Sequence, residues 1–259
     1  MSENSPVRIT LEGRTALVTG GGSGLGFAFA ATLARCGAEV IVCGRRRDLL
    51  ERSAERLREF GTKIESLELD VTDEASVSAA FSQLDGLDSV PDILINNAGL
   101  SRPGAALNID MADWDAVMAT NLRGAFVMSR ALARRLIDRG RPGTIVNVCS
   151  VLGRAPQKGV SPYAVSKAGL LHLTRLLALE WARHGIRVNA LVPGYFRTDI
   201  TDAYLETAAG ESLRSRIPQR RIGDLDELAH PLLLLVGDES GYVTGAEIVV
   251  DGGLSINPL

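Results

Sequence analysis

The stretch Thr15–Gly26, TALVTGGGSGLG, runs from a short apolar segment straight into five glycines within eight residues. Thr15–Thr19 has the pattern of a strand buried on both faces. Phe27–Cys36 then reads as a helix that Gly37 stops. Glycines placed between a strand and a helix let the backbone turn tightly and approach a ligand. The helix N-terminus then offers unpaired N–H groups to a pyrophosphate. Yet the stretch matches the strict G-x-G-x-x-G pattern at no register. Taken alone it is equally an ordinary strand-to-helix turn, so the rest of the chain must decide.

The same alternation continues to the C-terminus. Glu39–Cys43, Ile64–Leu69, Asp92–Asn96, Thr144–Val148, Arg187–Val192 and Glu247–Val250 read as further strands. Helical periodicity occupies the stretch from Asp48 to Gly61, Glu74–Leu84, Asp113–Arg139, Tyr163–His184 and Glu227–Val236. Apolar strands alternating with helices imply a parallel sheet covered on both faces. No linker or internal repeat interrupts the pattern. The expectation is a single α/β domain over residues 1–259, a doubly wound Rossmann fold with a seven-stranded parallel sheet.

Composition narrows the partners. A net charge of -3 gives no electrostatic case for nucleic acid or an anionic membrane surface. No apolar run reaches spanning length, and the start MSENSPVRIT lacks the charged and apolar segments of a signal peptide. Cys36, Cys43 and Cys149 show no paired spacing, which suits buried thiols in a reducing compartment. The expected location is the cytoplasm. His172, His184 and His230 form no ligand pattern, so no metal is expected.

Three further stretches carry chemistry. A carboxylate commonly follows the glycine loop by about 20 residues and binds a ribose 2′-hydroxyl. Here that place reads Cys43-Gly44-Arg45-Arg46-Arg47, with no acid before Asp48. A guanidinium there suits a 2′-phosphate, which favours NADP(H) and leaves NAD(H) as the alternative. Tyr163 and Lys167 stand four apart at a helix start, on one helical face. A tyrosine near its ordinary pKa of about 10 is a poor proton-transfer group at neutral pH. A neighbouring lysine cation is expected to lower that value. Ser150 falls at the carboxyl end of the fifth strand, and Asn96-Asn97-Ala98-Gly99 at that of the fourth. Asn121 lies among apolar neighbours in the helical segment between them.

Together the TGxxxGxG loop, NNAG, the serine, YxxxK and Pro193-Gly194 resemble the short-chain dehydrogenase/reductase family. The resemblance runs from Leu11 to Leu254 in matching order and spacing. It implies an active-site tetrad of Asn121, Ser150, Tyr163 and Lys167. Tyr163 would act as general acid or base, and Ser150 would hold the substrate oxygen. Lys167 would bind the nicotinamide ribose and lower the tyrosine pKa, and Asn121 would hold a water in a proton relay. The resemblance also implies that Gly20, Gly22, Ser23, Gly24, Leu25 and Gly26 cradle the pyrophosphate. Asp70 and Val71 would meet the adenine, and Asn97, Ala98 and Gly99 the adenosine ribose. Pro193, Gly194 and Thr198 would flank the nicotinamide. Ser23 stands where many NADP-using relatives carry a basic residue, so a preference for NADP rests on Arg45 with Arg46.

The activity implied is interconversion of a ketone and a secondary alcohol on a small molecule. The pattern is similar to 3-oxoacyl-carrier-protein reductases and to gluconate-type sugar-acid dehydrogenases, without choosing between them. A non-catalytic cofactor-binding regulator or scaffold and a NAD-preferring sugar-acid or polyol dehydrogenase are the competing readings. The segment 195–222, mixing aromatics with arginines, is expected to be a substrate lid. LLHLTRLLALEW (Leu170–Trp181) is apolar around most of its circumference, more than packing on one sheet needs. By resemblance the assembly would be a homotetramer, with a dimer as the alternative.

Overall fold

In the computed structural model, residues 9–86, 90–198 and 202–257 are described. Strands β1 (Thr15–Thr19), β2 (Glu39–Gly44), β3 (Ile64–Glu68), β4 (Ile93–Asn96), β5 (Gly143–Val148), β6 (Ile186–Pro193) and β7 (Glu247–Val250) form one sheet. Their order is β3-β2-β1-β4-β5-β6-β7, and every pairing is parallel. The central strands β1, β4 and β5 are buried along their whole length, as their unbroken apolar runs require.

Alternate residues of each strand feed opposite layers. Ala16, Val18, Val40 and Val42 join α1 (Gly24–Arg35), α2 (Arg47–Arg58) and α9 (Ala229–Val236) in one core. Leu17, Ile41 and Cys43 point the other way, into α3 (Glu74–Leu84), α5 (Ala125–Asp138) and α6 (Ser161–Trp181). This is the period of two of a strand, read out as two helical layers.

Three elements depart from expectation. Helix α1 starts at Gly24, three residues before Phe27, because the end of the glycine loop is already helical. The long helix expected over Asp113–Arg139 is interrupted. It comprises α4 (Met111–Met118), a π-helical turn (Ala119–Gly124) and then α5. Inside the expected lid lie α7 (Asp202–Leu205) and α8 (Ala208–Arg216), while residues 199–201 of that segment fall outside the described residues.

The topology selects one place for a ligand. Strand β1 pairs with β2 on one side and β4 on the other. The chain leaves β1 toward one half of the sheet and leaves β4 toward the other, so the loops that follow them part.

Candidate active site

Thr19 closes the cleft between those two loops. Its hydroxyl donates to the Ile95 carbonyl at 3.2 Å and accepts the N–H groups of Asn97 and Ala98, both at 2.9 Å. Asn97 returns the contact, its side-chain amide donating to the Thr19 carbonyl at 3.0 Å and the Gly20 carbonyl at 3.3 Å. Gly20, at φ +65°, turns the chain here. A Cβ on Gly26 would stand 2.2 Å from the Gly20 carbonyl oxygen, so only glycine lets α1 start this close to the loop. Ser23 precedes α1 in an extended conformation with no side-chain cap, and the first turn holds no acidic residue. The first N–H groups of α1 are thus left without a side-chain acceptor, the arrangement that receives a phosphate.

Beside the loop is a cavity of about 180 Å³. Gly20, Gly22, Arg45 and Arg46 line one side, and Asp70, Val71, Ala98 and Gly99 another. Eight of the sequence-predicted cofactor residues therefore share one wall system. The exposed Arg45 guanidinium lies 4.0 Å from the Asp70 carboxylate. Asp70 is itself oriented by the Thr72 N–H at 2.9 Å and hydroxyl at 2.7 Å. Among the other predicted residues, Gly24 faces Thr198, whose methyl would lie 3.9 Å from a Cβ there. Pro193 ends β6, and the Gly194 N–H donates to Val250 at 2.8 Å. Ser23, Leu25 and Asn97 do not line the cavity.

Asn121, Ser150, Tyr163 and Lys167 converge at the neighbouring strand ends. Ser150 follows β5, and its oxygen accepts the Leu152 N–H at 3.2 Å. Helix α6 begins two residues before Tyr163, with Pro162 at the first turn, where a missing N–H costs nothing. Tyr163 hydrogen-bonds Ser150. One turn on, the buried Lys167 ammonium donates to the Val148 carbonyl at 2.7 Å and lies 5.7 Å from the centre of the Tyr163 ring. Asn121, buried within the π turn, accepts the Leu100 N–H at 2.9 Å. It spends its two amide hydrogens on the Leu100 carbonyl and the Ser166 hydroxyl, each at 3.0 Å. Ser166 donates to the Tyr163 carbonyl at 2.7 Å.

One expectation changes here. The net shift of the Tyr163 phenol is upward: burial raises its pKa, the Ser150 hydroxyl opposes the rise, and Cys149 adds to it. The Lys167 ammonium donates to the Val148 carbonyl and lies over the tyrosine ring. Burial also pulls the Lys167 pKa down. The neighbouring Cys149 thiol is pushed up to about 12, mainly by burial, and stays protonated at neutral pH. Asn121, with both amide hydrogens engaged, ties the β4 loop to α6 through its side chain.

Sequence reasoning passed over Thr19, Leu100, Thr120 and Ser166. Thr120 and Leu100 line the cavity. Thr19 had a legible mark, being a polar residue at the end of an apolar strand just before the glycines. Ser166 lay inside YxxxK, where attention went to the ends.

A family model described as enoyl-(acyl carrier protein) reductase matches residues 20–255. The gluconate 5-dehydrogenase of Gluconobacter oxydans is 36% identical over 253 residues, spanning 97% of this chain and 98% of that protein. The 3-oxoacyl-(acyl-carrier-protein) reductase of Thermotoga maritima is 38% identical over 246 residues, spanning 95% and 99%. A crystal structure of gluconate 5-dehydrogenase from Burkholderia cenocepacia, in complex with NADP and tartrate, superposes with a TM-score of 0.92 at 37% identity. It covers 96% of this chain and 98% of its own.

Proposed function

Because the chain belongs to the short-chain dehydrogenase/reductase family of oxidoreductases, we propose that it interconverts a ketone and a secondary alcohol with NADP(H). The observation that carries this reading is the convergence of Ser150, Tyr163 and the buried Lys167 at the strand ends beside the close-packed glycine loop.

The residues present fit the cofactor. The uncapped start of α1 and the close Gly20–Gly26 approach suit a pyrophosphate, Asp70 and Val71 an adenine, and Arg45 with Arg46 a 2′-phosphate. NADP bound in the related Burkholderia structure supports the same choice. When bound, the nicotinamide supplies or takes the hydride.

The protein's own task is the proton. In reduction, the Ser150 hydroxyl and Tyr163 phenol donate to the carbonyl oxygen, and Tyr163 gives it a proton as negative charge develops. In oxidation the Tyr163 oxygen takes the proton back from the alcohol. Lys167, held by Val148, places a cation beside the tyrosine ring and would hold a ribose hydroxyl of the bound cofactor. Asn121 acts as a positioning residue that fixes α6 against the β4 loop.

The segment 195–222, including α7 and α8, acts as the substrate lid, anchored where Phe196 bridges Gly223. Val165, Leu176 and Leu179 are exposed along α6, which supports a homotetramer built on that face. The three cysteines are unpaired, which supports a reducing compartment such as the cytoplasm. No helix among the described residues is long and apolar enough to cross a membrane.

Replacing Tyr163 by Phe tests the reading. The variant should bind NADPH as the wild type does and lose at least about 100-fold in turnover, the scale of a general acid. Retained turnover would remove Tyr163 from the mechanism, and retained binding with no wild-type turnover would favour a non-catalytic scaffold.

A further inference from the structure

We infer that Gln157, oriented by Tyr195, determines specificity and, with Lys158, selects a substrate that carries a carboxylate on the same short chain as its ketone. The inference rests on the ketone–alcohol reading above and supplies the substrate class that the reading leaves open.

Gln157 sits seven residues after Ser150 and six before Tyr163, so both ends of its loop are anchored at the reacting pair. Its side-chain oxygen accepts the Tyr195 hydroxyl at 2.9 Å. This bond crosses from the loop after β5 to the loop after β6, at the carboxyl ends of the strands where Ser150 also lies. The other edge of the same loop is tied down as well, with the Gly104 N–H donating to the Gly159 carbonyl at 2.9 Å. Tyr195 is a firm post, since its ring packs with Leu205, Leu213, Ile217 and Ile222.

The consequence is chemical. An amide has one acceptor and two donor hydrogens. With the acceptor engaged by Tyr195, exposed Gln157 presents only its NH₂ group, which has no partner among the described residues. Lys158 beside it is exposed and forms no ion pair among the described residues. The three segments that frame the mouth, residues 100–109, 151–162 and 193–198, contain Arg102, Arg154, Lys158 and Arg197 and no aspartate or glutamate. Arg102 and Arg197 pair with Asp113 and Asp202, while Arg154 shares Glu247 with Arg175. Lys158 adds a cation with no ion pair among the described residues. A rim that offers hydrogen-bond donors and this excess of positive charge attracts an acceptor-rich anion and disfavours a neutral acyl chain. A short hydroxylated keto acid has that chemistry. A ketoacyl thioester shares only its carbonyl.

The test compares kcat/KM with NADPH for 5-ketogluconate, for neutral cyclohexanone and for an acetoacetyl thioester, in the wild type and in Gln157→Leu, Tyr195→Phe and Lys158→Ala. NADPH binding, followed by fluorescence, checks that each variant is folded. The wild type should prefer the keto acid. In Gln157→Leu the keto-acid to cyclohexanone ratio should fall about tenfold, through KM, as expected for losing a hydrogen bond to a charged group. Tyr195→Phe keeps the packed ring but frees the amide, and should lose a few-fold. Lys158→Ala should flatten the rise of keto-acid KM with added salt. An unchanged ratio in Gln157→Leu overturns the inference, as does a wild-type preference for the thioester or cyclohexanone. Calorimetry with tartrate on the NADP-loaded protein separates the two levels. Gln157-dependent tartrate binding without turnover on any carbonyl would leave the anion site standing and sink the ketone–alcohol reading. Tartrate binding that Gln157→Leu does not weaken would sink the inference alone.

Discussion

At the residue scale, the decisive quantity is the protonation of Tyr163. Its pKa is raised by burial, so the phenol holds its proton beyond the ordinary value of about 10. The proton-donating form therefore persists through the neutral range and is lost only as pH rises through the raised value. The kcat/KM for carbonyl reduction should accordingly be flat from about pH 6 to pH 9 and fall in more alkaline solution. A stopped assay of NADPH consumption across that range checks it, and a fall beginning near pH 7 would contradict the burial argument. Arg45 is the second informative residue. Among the described residues its exposed guanidinium pairs with Asp70, loosely at 4.0 Å, which leaves it available to a 2′-phosphate. Arg45→Ala should raise KM for NADPH about 10- to 100-fold, the range for a charge-assisted hydrogen bond, and leave KM for NADH nearly unchanged. Equal losses with both cofactors would move the discrimination elsewhere. Arg45, Tyr163, Ser150 and Lys167 were all legible in the chain, since each depends on residue type at a strand or helix end. The sign of the tyrosine shift was not, because it depends on what surrounds the phenol in space.

The element that most shapes the site is the π turn Ala119–Gly124. Apolar periodicity alone reads one continuous helix, since apolar residues continue on both sides of the turn and neither glycine nor proline stops the chain before it. Such turns occur frequently at functional sites. Here it accommodates the buried Asn121, whose amide reaches both Leu100 and Ser166. Asn121→Ala would leave the Leu100 N–H and carbonyl without that partner, at a cost of about 1–3 kcal/mol. Thermal unfolding should show that loss, and kcat should fall with it while the shape of the pH profile stays tyrosine-controlled. A variant as stable as the wild type would show that the tie is dispensable. The lid helices α7 and α8 were also missed. Their apolar residues Leu205, Leu213 and Ile217 form a small cluster separate from the main cores, too sparse to produce periodicity.

For the whole molecule, the two cores on either side of the sheet fix where the strand ends lie, and a buried amide network locks β4 to β5. Asn96 donates to Asn147 and to Ser129, each at 2.8 Å, and Asn147 donates to Thr174 at 2.9 Å. The two adjacent asparagines of NNAG thus divide their work. Asn96 binds the β4–β5 layer to α5 and α6, while Asn97 stitches the glycine loop. Beyond the protomer, the exposed apolar row of α6 is the face on which the proposed tetramer would be built. Leu179, 79% exposed, is its most accessible member. Leu179→Arg should lower the mass in solution from about four times 27.6 kDa toward that of the protomer or dimer, as read by light scattering after gel filtration. An unchanged mass would place the interface on another face.

The sequence by itself determined the layered parallel sheet, the glycine loop at its switch point and the side chains gathered at the strand ends beside it. Those features follow from local periodicity and from residues whose chemistry is their own. Only the tertiary structure decided that Thr19 clamps the two diverging loops, that Asn121 serves as a tie within a π turn, and that burial holds the tyrosine pKa up. It also decided that Tyr195 fixes the amide of Gln157. Each of these joins groups far apart in the chain. Their energies depend on distance and burial, and neither quantity exists until the strands are side by side.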